Sequence, residues 1–118
     1  YVYKIERLRL IDDQPFMIET GYIPIKILPT LSPEILENSI FNYLETEKGK
    51  TVTRSYLTLT VSPSNAVDQK LLNLTPNEPV GIMEGVFFLD DGTPFEVSNM
   101  RIHHQYMRFN TFVSLGKD

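Results

Sequence analysis

The stretch Leu10-Ile11-Asp12-Asp13-Gln14-Pro15-Phe16 is answered far downstream by Leu89-Asp90-Asp91-Gly92-Thr93-Pro94-Phe95. Each is a polar turn between apolar, β-branched and aromatic runs, the pattern of a β-hairpin. Before the first turn, Tyr3, Ile5, Arg7, Arg9 and Ile11 alternate onto one strand face, with Lys4, Glu6, Leu8 and Leu10 on the other. A three-residue turn, Asp12-Asp13-Gln14 with Asp13 left-handed, leads into a return strand over Phe16 to Ile25. Arg9 is expected opposite Glu19, so that register and charge agree. A duplicated hairpin with charges where a core face is expected (Arg7, Arg9 and Glu19 in one copy, Glu96 in the other) suggests a pocket built on one sheet.

Between the hairpins the chain changes period. Ser32-Pro33-Glu34 opens a helix with Ser as N-cap, Pro in the first turn and an acid near the positive end. Asn38-Ser39 interrupts it, and Ser39 caps a second helix that runs to about Lys48 on an apolar stripe of Ile40, Phe41 and Leu44, stopped by Gly49. Thr51 to Val61 reads as a strand, with Leu57, Leu59 and Val61 on one side and Arg54, Tyr56 and Thr58 on the other. A short helix over Ala66 to Leu74 has Val67, Leu71 and Leu74 as its inward side. Val80 to Leu89, an Asp91-Gly92 turn and Phe95 to about His104 make the second hairpin. The order β-β-α-α-β-α-β-β implies an α+β domain with a mainly antiparallel sheet, flanking helices and an internal hairpin repeat.

The chain has 118 residues, one domain's worth, of which 42% are hydrophobic and 22% charged. Without cysteine there are no disulfides, thiolate metal sites or cysteine nucleophiles. No apolar run reaches membrane-spanning length, and no signal peptide is visible. The pattern begins in mid-strand at Tyr1, as expected of a piece of a longer chain. A net charge of −4, with Arg101-Ile102-His103-His104 as the densest basic cluster, argues against this piece gripping DNA itself.

Residue patterns name candidates without choosing their roles. Arg7 and Arg9 leave one side of a strand roughly 7 Å apart at the backbone, a spacing that can clamp a phosphate or carboxylate. The same pair could line a solvated face or neutralise Glu19. Glu19 and Glu96 could pair with arginine, hold a ligand's polar groups or act as acid and base. Ser39 could be a cap alone or part of an anion site at a helix start. Strand parity puts His103 and His104 on opposite faces, unable to share a metal. Tyr56, Tyr106 and Phe109 read as core or interface aromatics.

In order and spacing, several segments resemble the UTRA effector-binding domain of GntR-type transcription regulators of the HutC subfamily. They are Arg7-Leu8-Arg9, Pro15 and Glu19 ahead of Tyr22-Ile23-Pro24, Ser39-Ile40-Phe41 through Leu44-Glu45, the short helix Ala66 to Leu74, Pro79-Val80, and Asp91-Gly92-Thr93-Pro94-Phe95-Glu96. The resemblance covers the whole chain, 1–118, and implies a chorismate-lyase-like fold. It implies a cytoplasmic homodimer that binds a small anionic metabolite, a phosphorylated sugar favoured, and meets DNA only through a winged helix-turn-helix upstream. No cofactor, metal or membrane contact is implied. By this resemblance Arg7 and Arg9 hold the anion, Ser39 adds a hydroxyl and a backbone donor, and Glu19 and Glu96 bind the ligand's polar body. Sugar-phosphate-binding members tend to carry Tyr where this chain has Phe41 and Ile102, so both positions belong to the expected site, with a more apolar lining. The alternative of another class is a chorismate-lyase-like enzyme acting on a small carboxylate, with Glu19 or Glu96 as acid and base.

Overall fold

Two aspartates turn the first hairpin. In the computed structural model, which describes residues 1–37 and 39–116, Asp12 and Asp13 both adopt the left-handed region (φ 48° and 65°). Aspartate tolerates that conformation better than most residues because its short polar side chain bonds locally. The turn therefore has two residues, not the expected three, with Ile11 opposite Gln14. It joins β1 (Val2–Ile11) to β2 (Gln14–Pro24).

The second hairpin joins β4 (Pro79–Leu89) to β5 (Pro94–His103) around Gly92, at φ 88°. The two copies share more than their turns. Leu10 pairs with Pro15 but Arg9 with Met17; Phe88 pairs with Pro94 but Phe87 with Glu96. In each hairpin the return strand thus carries one extra residue, the Phe after the Pro: Phe16 in the first, Phe95 in the second. Proline supplies no ladder donor, so pairing breaks there at little cost. Arg7, not the expected Arg9, lies across from Glu19: the two-residue turn and the bulge together pair Arg9 with Met17 and Arg7 with Glu19, the same register a three-residue loop would set.

The five strands are antiparallel neighbours in the order β1-β2-β5-β4-β3, with β3 spanning Val52–Pro63. The two hairpins meet return strand to return strand, β2 on β5, and β3 extends the second. The α+β antiparallel architecture is the expected one.

Each sheet face has its own helical cover, and the alternating register assigns the faces. On one, α1 (Pro33–Leu36) and α2 (Ile40–Lys48) overlie a core of Ile5, Ile23, Ile27, Leu28, Ile40, Leu44, Leu89 and Phe95. Ser32 and Ser39 cap these helices as expected, their hydroxyls accepting from the N–H groups of Ile35 and Asn42, and Gly49 ends α2 at φ 63°. Asn38, expected to help interrupt the helical run, lies outside the described residues. On the other face, α3 (Ala66–Leu72) packs with Leu72, Leu74, Val80, Ile82 and Ile18.

The expected inward side of α3 is wrong for two of its three residues. Val67 and Leu71 are exposed, whereas Asp68 and Leu72 are buried. Asp68 turns inward because it closes a capping box with Asn65 and receives two 2.8 Å bonds from the Arg101 guanidinium, through Nε and Nη2. Burial pushes its carboxyl up, but the Arg101 and Asn65 donors together hold it below the usual range. Of the two roles open to Tyr56, Tyr106 and Phe109, core or interface, their exposure removes the core, and Leu59 and Val61 of β3 are exposed as well. An edge strand pairing only with β4 leaves both faces of its free side to solvent.

Candidate functional site

Beneath the α1–α2 corner lies a cavity of about 360 Å³. Arg7 and Arg9 enter it from β1, Glu19 from β2, Phe87 from β4, and Glu96, Ser98 and Met100 from β5; Glu37, Ser39, Ile40 and Phe41 close it from the helices. Register explains the convergence. Arg7, Glu19 and Met100 form one row across three strands, Ser98 lies in the row of Ile5 and Gly21, and Phe87 faces Glu96. All project to the α2 side of the sheet.

Glu19 is the hub of the charges. Its Oε1 lies 2.8 Å from Arg7 Nη2 and accepts from Arg9 Nη1 at 3.3 Å. Arg7 also donates through Nη1 to the Leu36 carbonyl at 3.2 Å, tying the β1 strand to the end of α1. Two polar atoms in this lining are buried without a hydrogen-bond partner among the described residues: Arg7 Nε and Ser98 Oγ. Orphaned polar atoms cost stability, so a binding site is a natural place to find them.

Glu96 is 6% exposed and has no ion pair or hydrogen bond among the described residues. Burial, reinforced by the Glu19 charge and opposed by Arg7, pushes its carboxyl up to about 7. Room for it comes from Gly21, across β2, where a Cβ would overlap Glu96 Oε2. At neutral pH this group is poised between donating and accepting.

Phe41 forms an apolar wall, edge-on to Phe87 at 5.2 Å and to Phe95 at 5.9 Å between ring centroids. Ser39 caps α2 at the cavity's mouth, and the N–H groups of Ile40 and Phe41 belong to the first helical turn, which lacks intrahelical acceptors.

Six of the seven residues expected in the site therefore converge: Arg7, Arg9, Glu19, Ser39, Phe41 and Glu96. Ile102 does not. It shares the face but is buried outside the lining, because the Met107 side chain lies over Gly81, its partner across the β4–β5 ladder. Sequence reasoning missed Phe87, Ser98, Met100, Ile40 and Glu37 as lining residues. Ser98 and Met100 had a signal, two and four residues beyond Glu96 on one strand. Phe87 had none until the β4–β5 register was known.

A second polar cluster overturns another expectation. Strand parity separated His103 from His104, yet β5 ends at His103 and a 3₁₀ turn begins at His104, swinging the rings to 4.7 Å between centroids. His104 Nε2 lies 2.6 Å from Glu78 Oε2.

Residues 1–108 match the family described as the UTRA domain. The chain belongs to the UTRA family. Among curated proteins, this UTRA domain is similar to the HTH-type transcriptional regulator GmuR of Bacillus subtilis, 30% identical over 103 residues, which cover 87% of this chain and 44% of that protein. Among solved structures it is similar to the possible transcriptional regulator YydK of the same organism (TM-score 0.90, 28% identity, 96% of this chain and 50% of that one). It is also similar to the effector-binding domain of the B. subtilis trehalose repressor TreR (TM-score 0.83, 27% identity, 98% of this chain and 81% of that one). The chain spans a little under half the length of the curated relatives GmuR and TreR. These matches are to transcriptional regulators and their effector-binding domains, so the enzyme alternative falls and the UTRA domain has a regulatory, effector-binding role. No helix among the described residues is long and apolar enough to cross a membrane.

Proposed function

We propose that this chain is the effector-binding and dimerising part of a cytoplasmic, homodimeric bacterial transcription regulator, whose effector is a small anion, a phosphorylated sugar above all. One observation carries the reading: two guanidiniums share a single carboxylate inside a cavity that also holds an unpartnered Arg7 Nε. Glu19 engages both guanidiniums through one oxygen and leaves Arg7 Nε free among the described residues, and with Glu96 protonated the arginines can take an anion alongside it. Ser39 and the first turn of α2 supply further donors. Glu96 and Ser98 are placed for hydroxyl groups, and Phe41, Phe87 and Met100 for the apolar face of a sugar ring. The names of two relatives, the trehalose repressor TreR and the mannosyl-D-glycerate system repressor MngR of Escherichia coli, support a sugar-related effector.

The output runs through Arg7. An anion that draws its guanidinium inward weakens the bond to the Leu36 carbonyl and shifts the α1–α2 corner. Differential affinity for the two arrangements then changes the operator affinity of a DNA-binding domain elsewhere in the full-length protein. Self-association fits the opposite sheet face, where Tyr22, Tyr56 and Val97 are exposed around a hollow of about 260 Å³.

Titration calorimetry with glucose 6-phosphate and other hexose phosphates, with glucose as uncharged control, tests the site. Binding of a phosphorylated but not a neutral sugar, lost in Arg9→Ala with an unchanged far-UV spectrum, is expected. Unchanged affinity in that variant refutes the assignment.

A further inference from the structure

Away from the cavity, the His103–His104 cluster has a geometry the effector reading does not use. We propose that Glu78, His103 and His104 form a binding site for a borderline divalent metal ion of the Zn²⁺ type. Each residue offers one ligand atom, and the three atoms lie within 4.8 Å of one another. Tetrahedral zinc with bonds of about 2.0–2.1 Å sets its donors about 3.3 Å apart, so small side-chain rotations complete the set. Such rotations are open to these residues, since His104 and Glu78 are each about one-third exposed.

The surroundings favour coordination. Glu78 Oε1 accepts from both the N–H and the hydroxyl of Thr75, at 3.2 and 3.1 Å, which orients the carboxylate and leaves Oε2 for the site. Oε2 already lies against His104 Nε2 at 2.6 Å, and a metal ion takes the place of the hydrogen shared there. That hydrogen passes to the other ring nitrogen or to solvent. His103 Nδ1 at present accepts from the N–H of Gln105 at 3.1 Å. A neutral imidazole that gives Nε2 to a metal carries its hydrogen on Nδ1, and otherwise it ligates through Nδ1 itself, so either way that exposed N–H is released to water on binding. Two imidazoles and one carboxylate suit Zn²⁺, Ni²⁺ or Cu²⁺ and not Mg²⁺ or Ca²⁺, which demand more oxygen ligands. Three protein ligands leave a fourth position for water or a further donor.

A bound ion would fasten the turn before β4, through Glu78, to the end of β5, through His103, and to the 3₁₀ turn, through His104. That is a stabilising input separate from the effector cavity, and it stands or falls independently of the proposed effector.

The test is titration calorimetry of the chain, free of any histidine tag, with ZnCl₂ and separately with MgCl₂, alongside thermal unfolding. The expectation is one Zn²⁺ per chain, a higher midpoint of unfolding with Zn²⁺ and no effect of Mg²⁺. Glu78→Gln and His103→Ala each weaken Zn²⁺ binding about tenfold or more, with native far-UV spectra. Glu78→Gln keeps a hydrogen-bonding side chain, so it reports on the metal even if a histidine variant fails to fold. No Zn²⁺ binding, a stoichiometry other than one, or affinity unchanged in either variant overturns the proposal.

Discussion

Replacing Glu96 by Gln removes one ionisation and nearly nothing else. Glu96 is almost fully buried, and its carboxyl is raised from an ordinary 4.5 to about 7 by burial first and the Glu19 charge second, with Arg7 opposing. Below pH 4.5 the acid is neutral whether the chain is folded or not, so it contributes no pH dependence. Between 4.5 and 7 the unfolded chain releases the proton while the folded chain keeps it, so stability falls as pH rises. Above 7 both states are ionised and the loss is complete. At 1.36 kcal/mol per tenfold, the shift amounts to about 3 kcal/mol. Gln keeps the shape of the protonated acid and cannot ionise. The stability of Glu96→Gln minus that of the native chain therefore grows by about 3 kcal/mol from pH 4.5 to pH 8. Burial depresses the His103 imidazole, which has the opposite trend, but it is present in both proteins and cancels in the difference. The chain has no tryptophan, so urea unfolding followed by far-UV circular dichroism at several pH values is the assay. Stability curves that run parallel from pH 4.5 to 8 would refute the argument that this carboxyl is desolvated.

The cavity floor offers a second prediction. Gly21→Ala places a methyl group where Glu96 Oε2 now lies; that oxygen ends a flexible side chain bordering the cavity and can move aside, so the cost stays at the low end of overpacking, about 1 kcal/mol. Adding Glu96→Ala to it should recover most of the loss, which urea denaturation of the single and double variants measures. On the other face, Asp68→Ala removes a fully buried carboxylate, leaves Arg101 without its partner and opens the α3 capping box. A cost of about 3 kcal/mol or more is expected, read from the urea midpoint; a loss under 1 kcal/mol would show that the pair adds little.

Much of the fold was legible because its signals are local. Ser32, Ser39 and Gly49 occupy positions that only certain side chains or backbone angles serve well, and the structure uses all three as expected. The echo of the two hairpins survives in the paired bulges at Phe16 and Phe95. Locality also explains the misses. Two left-handed aspartates shortened the first turn, and the bulge restored the lost residue, so the ladder beyond it keeps Arg7, and not Arg9, across from Glu19. Helical periodicity pointed Val67 and Leu71 inward, but Asp68, bonded by Arg101 from 33 residues away, took the buried side. Parity alone could not see that the strand ends at His103.

By itself, the sequence determined the order of elements, their caps and turns, and which charges the two hairpins carry, since backbone preference and side-chain period act over a few residues. Only the tertiary structure decided which charges meet. Strand register, a glycine beneath Glu96 and Met107 lying over the row of Ile102 are contacts between distant segments. Desolvation, which sets the charge state of Glu96, exists only once those segments have closed around it.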